Sequence, residues 1–258
     1  MKEVVALVVA AGLLGCGTSP HAGATADDGG PSTRVDADLD ALPDSYEVGD
    51  AAVSASRFVT SVVSFTPTEC TGFGAESMPG IVEGPPVGGG TTHGSTDVVS
   101  LGSGGSIVVA FGPNAIVDGP GPDFIVFENP FWIAGSSTNV YAEPGEVSVS
   151  DDGVTWTTFP CTPVVDPQAT DGTGTSPPYG ACAGWHVIYS TPQNGISPLD
   201  PSVAGGDAFD LADIGVTHAR YVRVVDKTGE NCPEGGADRP TTNGFDLDAV
   251  AIVNAELP

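Results

Sequence analysis

The chain has 258 residues, with 33 acidic against 7 basic side chains and a formal net charge of −26 at pH 7. An acidic surface repels polyanions, so nucleic acids and anionic lipid headgroups are excluded as partners, whereas divalent cations complement it. The 36 glycines and 23 prolines argue against long helices. Solubility explains most of the acids, and only clustered ones point to a binding site.

The first residues have the pattern of an export signal. Lys2 precedes an apolar run at 4–14, which is shorter than the roughly 20 residues that a membrane-spanning helix needs. The run ends in Leu-Leu-Gly-Cys, which resembles the bacterial lipobox and implies cleavage before Cys16 and a lipid on its sulfur. The alternative is an ordinary secretory signal that contains a cysteine. We therefore expect residues 1–15 to be a lipoprotein signal peptide.

Residues 16–56 are expected to form a flexible, acidic linker. The segment is mostly small and polar, with eight acids against the single base Arg34, so it cannot bury enough apolar surface to offset its ordering entropy. Gly17 stands where an aspartate would resemble the signal for retention in the inner membrane. That comparison implies an exported lipoprotein anchored in the outer membrane, on its periplasmic or its outer face.

Residues 57–258 are expected to form one domain, which has enough residues for a well-buried core. Short runs rich in β-branched and aromatic residues alternate with Gly, Pro and Asp clusters, and no long stretch has helical periodicity. This pattern predicts an all-β fold, an antiparallel β-sandwich or jelly roll. The predicted strands lie in RFVTSVVSF, DVVSL, SIVVAF, DFIVFEN, EVSVS, VTWTTF, WHVIYS, ARYVRVV and FDLDAVAIV.

One hairpin is predicted most directly. EVSVS and VTWTTF are joined through Asp151, Asp152 and Gly153, and an Asp-Gly pair favours a hairpin because it accepts positive φ. Trp156, in the second predicted strand, is expected in the core.

Four cysteines remain once Cys16 is set aside. An even number in an oxidising compartment favours two disulfides, for which three pairings are open. We prefer Cys161–Cys182, because it would close a long Pro- and Gly-rich loop, and that choice leaves Cys70–Cys232. Zinc is the alternative, although no Cys-x-x-Cys or paired-histidine spacing supports it.

Several motifs together resemble a known class of domain. VSVSDDGVTWTTFP followed by ARYVRVVD is similar to discoidin-like, galactose-binding-like jelly rolls, and DGPGPDFIVFENPF, AGGDAFDLADIG and GFDLDAVAIVN resemble segments of bacterial secreted and cell-surface proteins. The motifs cover most of residues 95–254. The resemblance implies a binding domain that often holds a structural calcium near its last strand. The chain departs from the sugar-binding pattern in lacking a basic and aromatic loop set, so no ligand is implied.

The acids of the last motif suggest a calcium site. Asp246 and Asp248 are expected on one strand face that continues with Val250 and Ile252. Buried carboxylates need a cation or hydrogen-bond donors, and the domain has only five bases. The alternative is that Asp246 is capped by backbone donors or by an arginine, Arg220 or Arg223. The other candidate Ca²⁺ ligands are Asp118, Asp123, Glu128, Asp207 and Asp210.

Functional motifs are sparse. The sequence lacks Gly-x-Ser-x-Gly, His-Glu-x-x-His and a phosphate-binding Gly-rich loop, and the scattered histidines are expected to be surface or half-buried polar residues. We therefore expect a non-enzymatic binding or adhesion module for a glycan or a surface protein. A carboxylate-dependent hydrolase and a purely structural envelope lipoprotein are the alternatives. Candidate ligand-stacking aromatics are Trp132, Tyr141, Tyr179 and Trp185.

Overall fold

The computed structural model describes residues 56–137, 139–162, 181–229 and 243–258. Four 3-10 helices occur in these ranges: Ala75–Ser77, Gly80–Val82, Ile133–Gly135 and Leu211–Ile214. The strands are β1 Ser61–Thr66, β2 Val99–Ser100, β3 Ser106–Ala110, β4 Ala115–Val117, β5 Phe124–Phe127, β6 Phe131–Trp132, β7 Val140–Tyr141, β8 Gly145–Ser150, β9 Thr157–Thr158, β10 Cys182–Ala183, β11 Asp207–Phe209, β12 His218–Ala219, β13 Tyr221–Asp226, β14 Asp246–Leu247, β15 Ala249–Ile252 and β16 Ala255–Glu256.

The largest sheet is antiparallel, with the strand order β1-β3-β13-β8-β10 and with β9 added to β8. Its central strand β13 alternates half-buried and buried residues, as expected when one face of a strand packs on a core. Val222 and Val224 point to that core, while Arg223 lies on the opposite face.

A second antiparallel sheet has the order β11-β5-β15. All four residues of β5 are buried, because both faces of this sheet are covered. On one face Phe124 and Val126 share a core cluster with Val147 and Val222 of the large sheet. On the other face Ile125 packs with a second cluster. The fold is therefore all-β with face-to-face sheets, as predicted for a β-sandwich, whereas the jelly-roll connectivity stays a prediction.

Most of the predicted strand runs contain strands, but WHVIYS does not. In that run the structure has only an isolated bridge between Ile188 and Gly205. The N–H groups of Tyr189 and Ser190 both donate to the carbonyl of Ala204, each at 2.9 Å, so no regular ladder forms. Ile188 of this run instead packs on the outer face of the β11-β5-β15 sheet.

The predicted hairpin is confirmed, since β8 and β9 pair with Ser148 opposite Thr158. The expectation that Trp156 lies in the core is wrong. Its ring is half-buried and lies under the guanidinium of Arg223, 4.5 Å from the ring centroid. Trp156 lies just before the short strand β9 and packs on Arg223, which is on the outward face of β13. Phe159, which is 1% exposed, is the core residue of this hairpin.

The Cys161–Cys182 disulfide is confirmed, with a Cα–Cα distance of 4.7 Å. Cys70 is also disulfide-bonded. Its expected partner Cys232 lies outside the described residues, so that pairing stays a prediction. The lipidation candidate Cys16 lies outside them as well.

Candidate functional site

The candidate metal ligands fall at opposite ends of the sheet β11-β5-β15. Asp123 precedes β5 and Glu128 follows it, so the two are separated by roughly 16 Å of extended chain. Because β11 runs antiparallel to β5, Asp210 lies at the Asp123 end and Asp207 at the Glu128 end. Asp248 precedes β15, which places it at the Glu128 end as well. The structure therefore divides the candidates between two places.

Three buried acids come together at the Glu128 end. Glu128, Glu143 and Asp246 each offer one carboxylate oxygen, and these oxygens lie within 4.8 Å of one another. The residues are only 2%, 5% and 5% exposed. We call these three residues the acidic cluster. Glu143 was not among the predicted ligands. Its only sequence signal is its place shortly before the predicted strand EVSVS.

The carboxylate of Glu128 is only partly satisfied by hydrogen bonds. Its Oε1 accepts a hydrogen bond from the backbone N–H of Asp246 at 3.2 Å, but its buried Oε2 has no partner in the part of the chain that the structure describes. Burial, together with the charges of Glu143 and Asp246, raises the pKa of Glu128 well above its ordinary value. A charged carboxylate here would be costly unless a cation joined it.

Asp246 connects the acidic cluster to two further elements. Its carboxylate accepts hydrogen bonds from the hydroxyl of Ser100, on the paired strand β2, and from Asn129 Nδ2 at 3.0 Å. Arg220 and Arg223, the arginines considered as caps for Asp246, contact other groups. Arg220 Nε pairs with Asp151 at 3.3 Å, and Arg223 covers Trp156.

Asp248 lies outside the acidic cluster. The chain changes pairing partner between β14 and β15, and Asp248 stands in that gap. Its carboxylate accepts hydrogen bonds from the backbone N–H groups of Val87 at 3.0 Å and Gly88 at 2.9 Å. Burial raises the pKa of Asp248 to about 7, against the opposing effect of these two donors. Asp248 thus ties down the Gly-rich segment 84–94.

At the opposite end, Asp118, Asp123 and Asp210 also lie within 4.8 Å of one another. Here the central carboxylate is satisfied by the protein itself. Asp123 accepts hydrogen bonds from Gly119 N at 2.8 Å, Leu211 N at 2.7 Å and Asn254 Nδ2 at 2.8 Å. Asp210 caps a 3-10 helix, and Asp118 is exposed. These contacts leave no need for an ion at this group.

Asp207 is paired with a histidine. Its Oδ1 lies 2.6 Å from His186 Nδ1, and its Oδ2 accepts hydrogen bonds from the backbone N–H groups of Gly184 and Trp185 at 2.7 and 2.9 Å. The hydrogen bond to Asp207 and its charge raise the pKa of His186, although burial opposes the shift. This pair could not be predicted from the sequence, because its residues are 21 positions apart.

Two of the predicted aromatic residues share one hairpin. Trp132 in β6 and Tyr141 in β7 are both half-buried. Phe131, which was not predicted, stacks on Tyr141 with 5.2 Å between ring centroids. Trp185 is half-buried beside Asp207, and Tyr179 lies outside the described residues.

No protein-family model matches the sequence, and a search of curated proteins finds no match. Within the described ranges, no helix has the length and apolar character needed to cross a membrane. The disulfide is compatible with a protein that functions outside the cytoplasm.

Proposed function

We propose that this chain is a lipid-anchored binding module of the bacterial cell envelope, and that its β-domain holds a calcium ion. The main evidence for the calcium site is that Glu128 Oε2, a buried carboxylate oxygen, has no hydrogen-bond partner among the described residues. Glu128 lies in a cluster with two more buried acids. The export signal pattern, the lipobox resemblance at Cys16 and the disulfide Cys161–Cys182 support an extracytoplasmic location.

A divalent cation fits the acidic cluster better than a proton does. A proton neutralises one carboxylate, whereas a cation of charge +2 attracts all three oxygens at once. Carboxylates are the hard oxygen ligands that Ca²⁺ takes, and its flexible coordination tolerates ligands from three separate strand ends. A bound cation would also reverse the increase in the pKa of Glu128.

The burial of the acidic cluster argues against a hydrolase active site at this position. A glycosidase needs two carboxylates that reach the substrate bond from an open cleft, but Glu128 and Glu143 are 2% and 5% exposed. An ion fits such a site, and a sugar ring does not.

Calorimetric titration with Ca²⁺ and thermal melting of the full chain test the metal site. Calcium at about 100 times its dissociation constant should add about 2.7 kcal/mol to stability, which for a domain of this size corresponds to a melting temperature higher by about 5–10 °C. Excess chelator should remove the gain. An unchanged melting curve in chelator, with no metal found by elemental analysis, would overturn the proposal.

The variant Glu128→Gln separates calcium binding from general stability. It should weaken calcium binding at least about tenfold, because it removes one charge from the site. In chelator it should melt no lower than the unmodified chain, since the repulsion inside the acidic cluster is reduced. Glu146→Gln is the matched control, because Glu146 is nearby but pairs with Lys227 at 3.3 Å. If both variants kept their calcium response, Glu128 would not be a ligand.

The ligand of the module is tested on a glycan array. The full chain is applied once in calcium and once in chelator. Binding to a defined group of glycans that is lost in chelator supports a calcium-assisted glycan-binding module. Absence of binding in calcium would reject glycans and leave a surface protein as the proposed partner.

A further inference from the structure

Two members of the acidic cluster, Glu128 and Glu143, lie at opposite ends of one chain segment. Glu128 directly follows β5, in the three-stranded sheet, and Glu143 lies just before β8, in the six-stranded sheet. The segment between them, residues 129–142, leaves one sheet and returns to the other. We call this segment the aromatic hairpin. Its two ends therefore meet where Glu128 and Glu143 approach Asp246.

The regular structure of the aromatic hairpin consists of two short strands and the 3-10 helix Ile133–Gly135 between them. Phe131 pairs with Tyr141 and Trp132 with Val140, so each strand has two residues. Two-stranded ribbons of this size are marginally stable in water unless they pack on something else. The stacked rings of Phe131 and Tyr141 are half-buried, so they provide only part of that packing.

Among the described residues, hydrogen bonds link the aromatic hairpin to its surroundings at two places. The backbone N–H of Trp132 donates to the carbonyl of Thr91 at 2.7 Å. The side chain of Asn129 donates from Nδ2 to Ser95 O at 3.4 Å and to Asp246 Oδ2 at 3.0 Å. One of these links therefore ends on a carboxylate of the acidic cluster itself.

We infer that calcium in the acidic cluster acts as a clamp that orders the aromatic hairpin. This inference rests on the calcium site proposed above. When both acids are charged and no cation is present, Glu128 and Glu143 repel each other at the base of the hairpin, which favours separation of its ends. A bound cation bridges the ends and fixes Asp246, which in turn holds Asn129.

A consequence follows for ligand binding. The aromatic hairpin carries Trp132 and Tyr141, two of the residues expected to contact a ligand. If calcium orders the hairpin, the affinity for a ligand held there rises when calcium is bound, and the affinity for calcium rises by the same factor when that ligand is bound. The module would then bind its ligand tightly only where calcium is plentiful.

Hydrogen exchange followed by mass spectrometry on the full chain tests the clamp, with calcium alone as the probe. Calcium should slow exchange in peptides from residues 129–142 by at least about tenfold. Exchange in β13 and in the centre of β8 should change much less, because those strands are held by the large sheet on both sides. Calorimetry on the same sample reports whether calcium binds.

The outcomes separate the clamp from the metal site. Calcium binding with selective protection of residues 129–142 supports the clamp. Calcium binding with an even change across the domain, or with no change in the hairpin, overturns the clamp and leaves the metal site in place. Absence of calcium binding overturns both. Glu143→Gln should lose the selective response and Glu146→Gln should keep it; equal responses in the two variants would also reject the clamp.

Discussion

The buried carboxylates of this domain differ in how their charge is balanced. Asp226 accepts hydrogen bonds from the backbone N–H groups of Gly104 and Phe245, both at 2.8 Å. Such an acid organises loops, because the buried N–H of Phe245 would otherwise have no acceptor. Glu128 has only one oxygen with a donor among the described residues. A carboxylate of that kind requires a proton or a cation.

Asp226→Ala should be strongly destabilising. The change leaves the buried N–H of Phe245 without its acceptor, whereas the N–H of the exposed Gly104 can bond to water. An unsatisfied buried donor costs about 1–3 kcal/mol. We expect a loss of about 1–3 kcal/mol in the free energy of unfolding, measured by urea denaturation. Asp213→Ala, at an exposed acid, is the control and should change stability little. A loss for Asp226→Ala no greater than for the control would contradict this role.

The His186–Asp207 pair should make stability depend on pH near neutrality. The pKa of His186 is raised in the folded protein, so the pair contributes fully below the unfolded pKa of about 6.5. The contribution is lost as pH rises through the higher folded pKa. His186 is 52% exposed, so solvent screens the pair and the effect is small.

His186→Gln should therefore flatten the decrease in melting temperature between about pH 6 and pH 8. Melting curves across this range measure it. His93→Gln is the control, because His93 is exposed and bonds only to Thr92 among the described residues. An unchanged slope in His186→Gln would show that the pair does not set the pH dependence.

Two members of the acidic cluster could be predicted from the sequence, and one could not. Asp246 stands in a strand-like motif where a carboxylate is out of place, and that conflict singled it out, whereas Glu128 was expected only as a further oxygen ligand from another motif. Glu143 follows a loop and precedes a strand, where an acid is unremarkable. Only the pairing of β8 with β13 and the course of the aromatic hairpin bring it to Glu128, and such long-range pairings have no local sequence signal.

At the scale of elements, the β8–β9 hairpin was predicted correctly, but the length of its loop was not. The Asp-Gly pair does mark the turn, and Gly153 has a φ of 72°. The loop nevertheless extends to Trp156, because Asp152 Oδ1 accepts hydrogen bonds from the N–H groups of Val154 at 2.8 Å and Thr155 at 2.7 Å. These bonds hold the backbone in a turn where an extended strand was expected.

Asp152→Ala should lower the melting temperature, whereas Asp152→Asn should lower it less, because the amide oxygen can still accept from the loop. Hydrogen bonds from Thr155 and Val154 lower the pKa of Asp152 to about 2. Its contribution is therefore present above the unfolded pKa of about 3.9 and is lost as pH falls towards 2.

Melting curves of the three proteins near pH 7 and near pH 3 measure the effect. The differences should shrink at the lower pH, because below about pH 3.9 the unfolded chain takes up a proton on Asp152 and the contribution of the charged carboxylate to stability decreases. Equal melting temperatures for Asp152→Ala and Asp152→Asn would show that the acceptor oxygen has no role.

At the scale of the whole molecule, the fold class could be predicted but the strand order could not. Alternating apolar runs and frequent turn residues predicted an antiparallel all-β domain. In the structure β13 lies between β3 and β8, although it follows them by many residues and by several other strands. That position depends on packing Val222 and Val224 against core residues from both sheets, which is a property of the complete chain.

The cellular location of the protein is also a property of the complete chain. The variant Cys16→Ser tests the proposed lipid anchor. Several buried acyl chains, at about 0.8 kcal/mol per CH₂, hold a protein on a membrane where a single chain would not. Without the sulfur that carries a lipid, the variant should appear in the aqueous phase of a detergent partition or keep its signal peptide. The unmodified protein should enter the detergent phase. Mass analysis of its mature N-terminus should find an acylated Cys16, and an unmodified mature chain that begins elsewhere would reject the anchor.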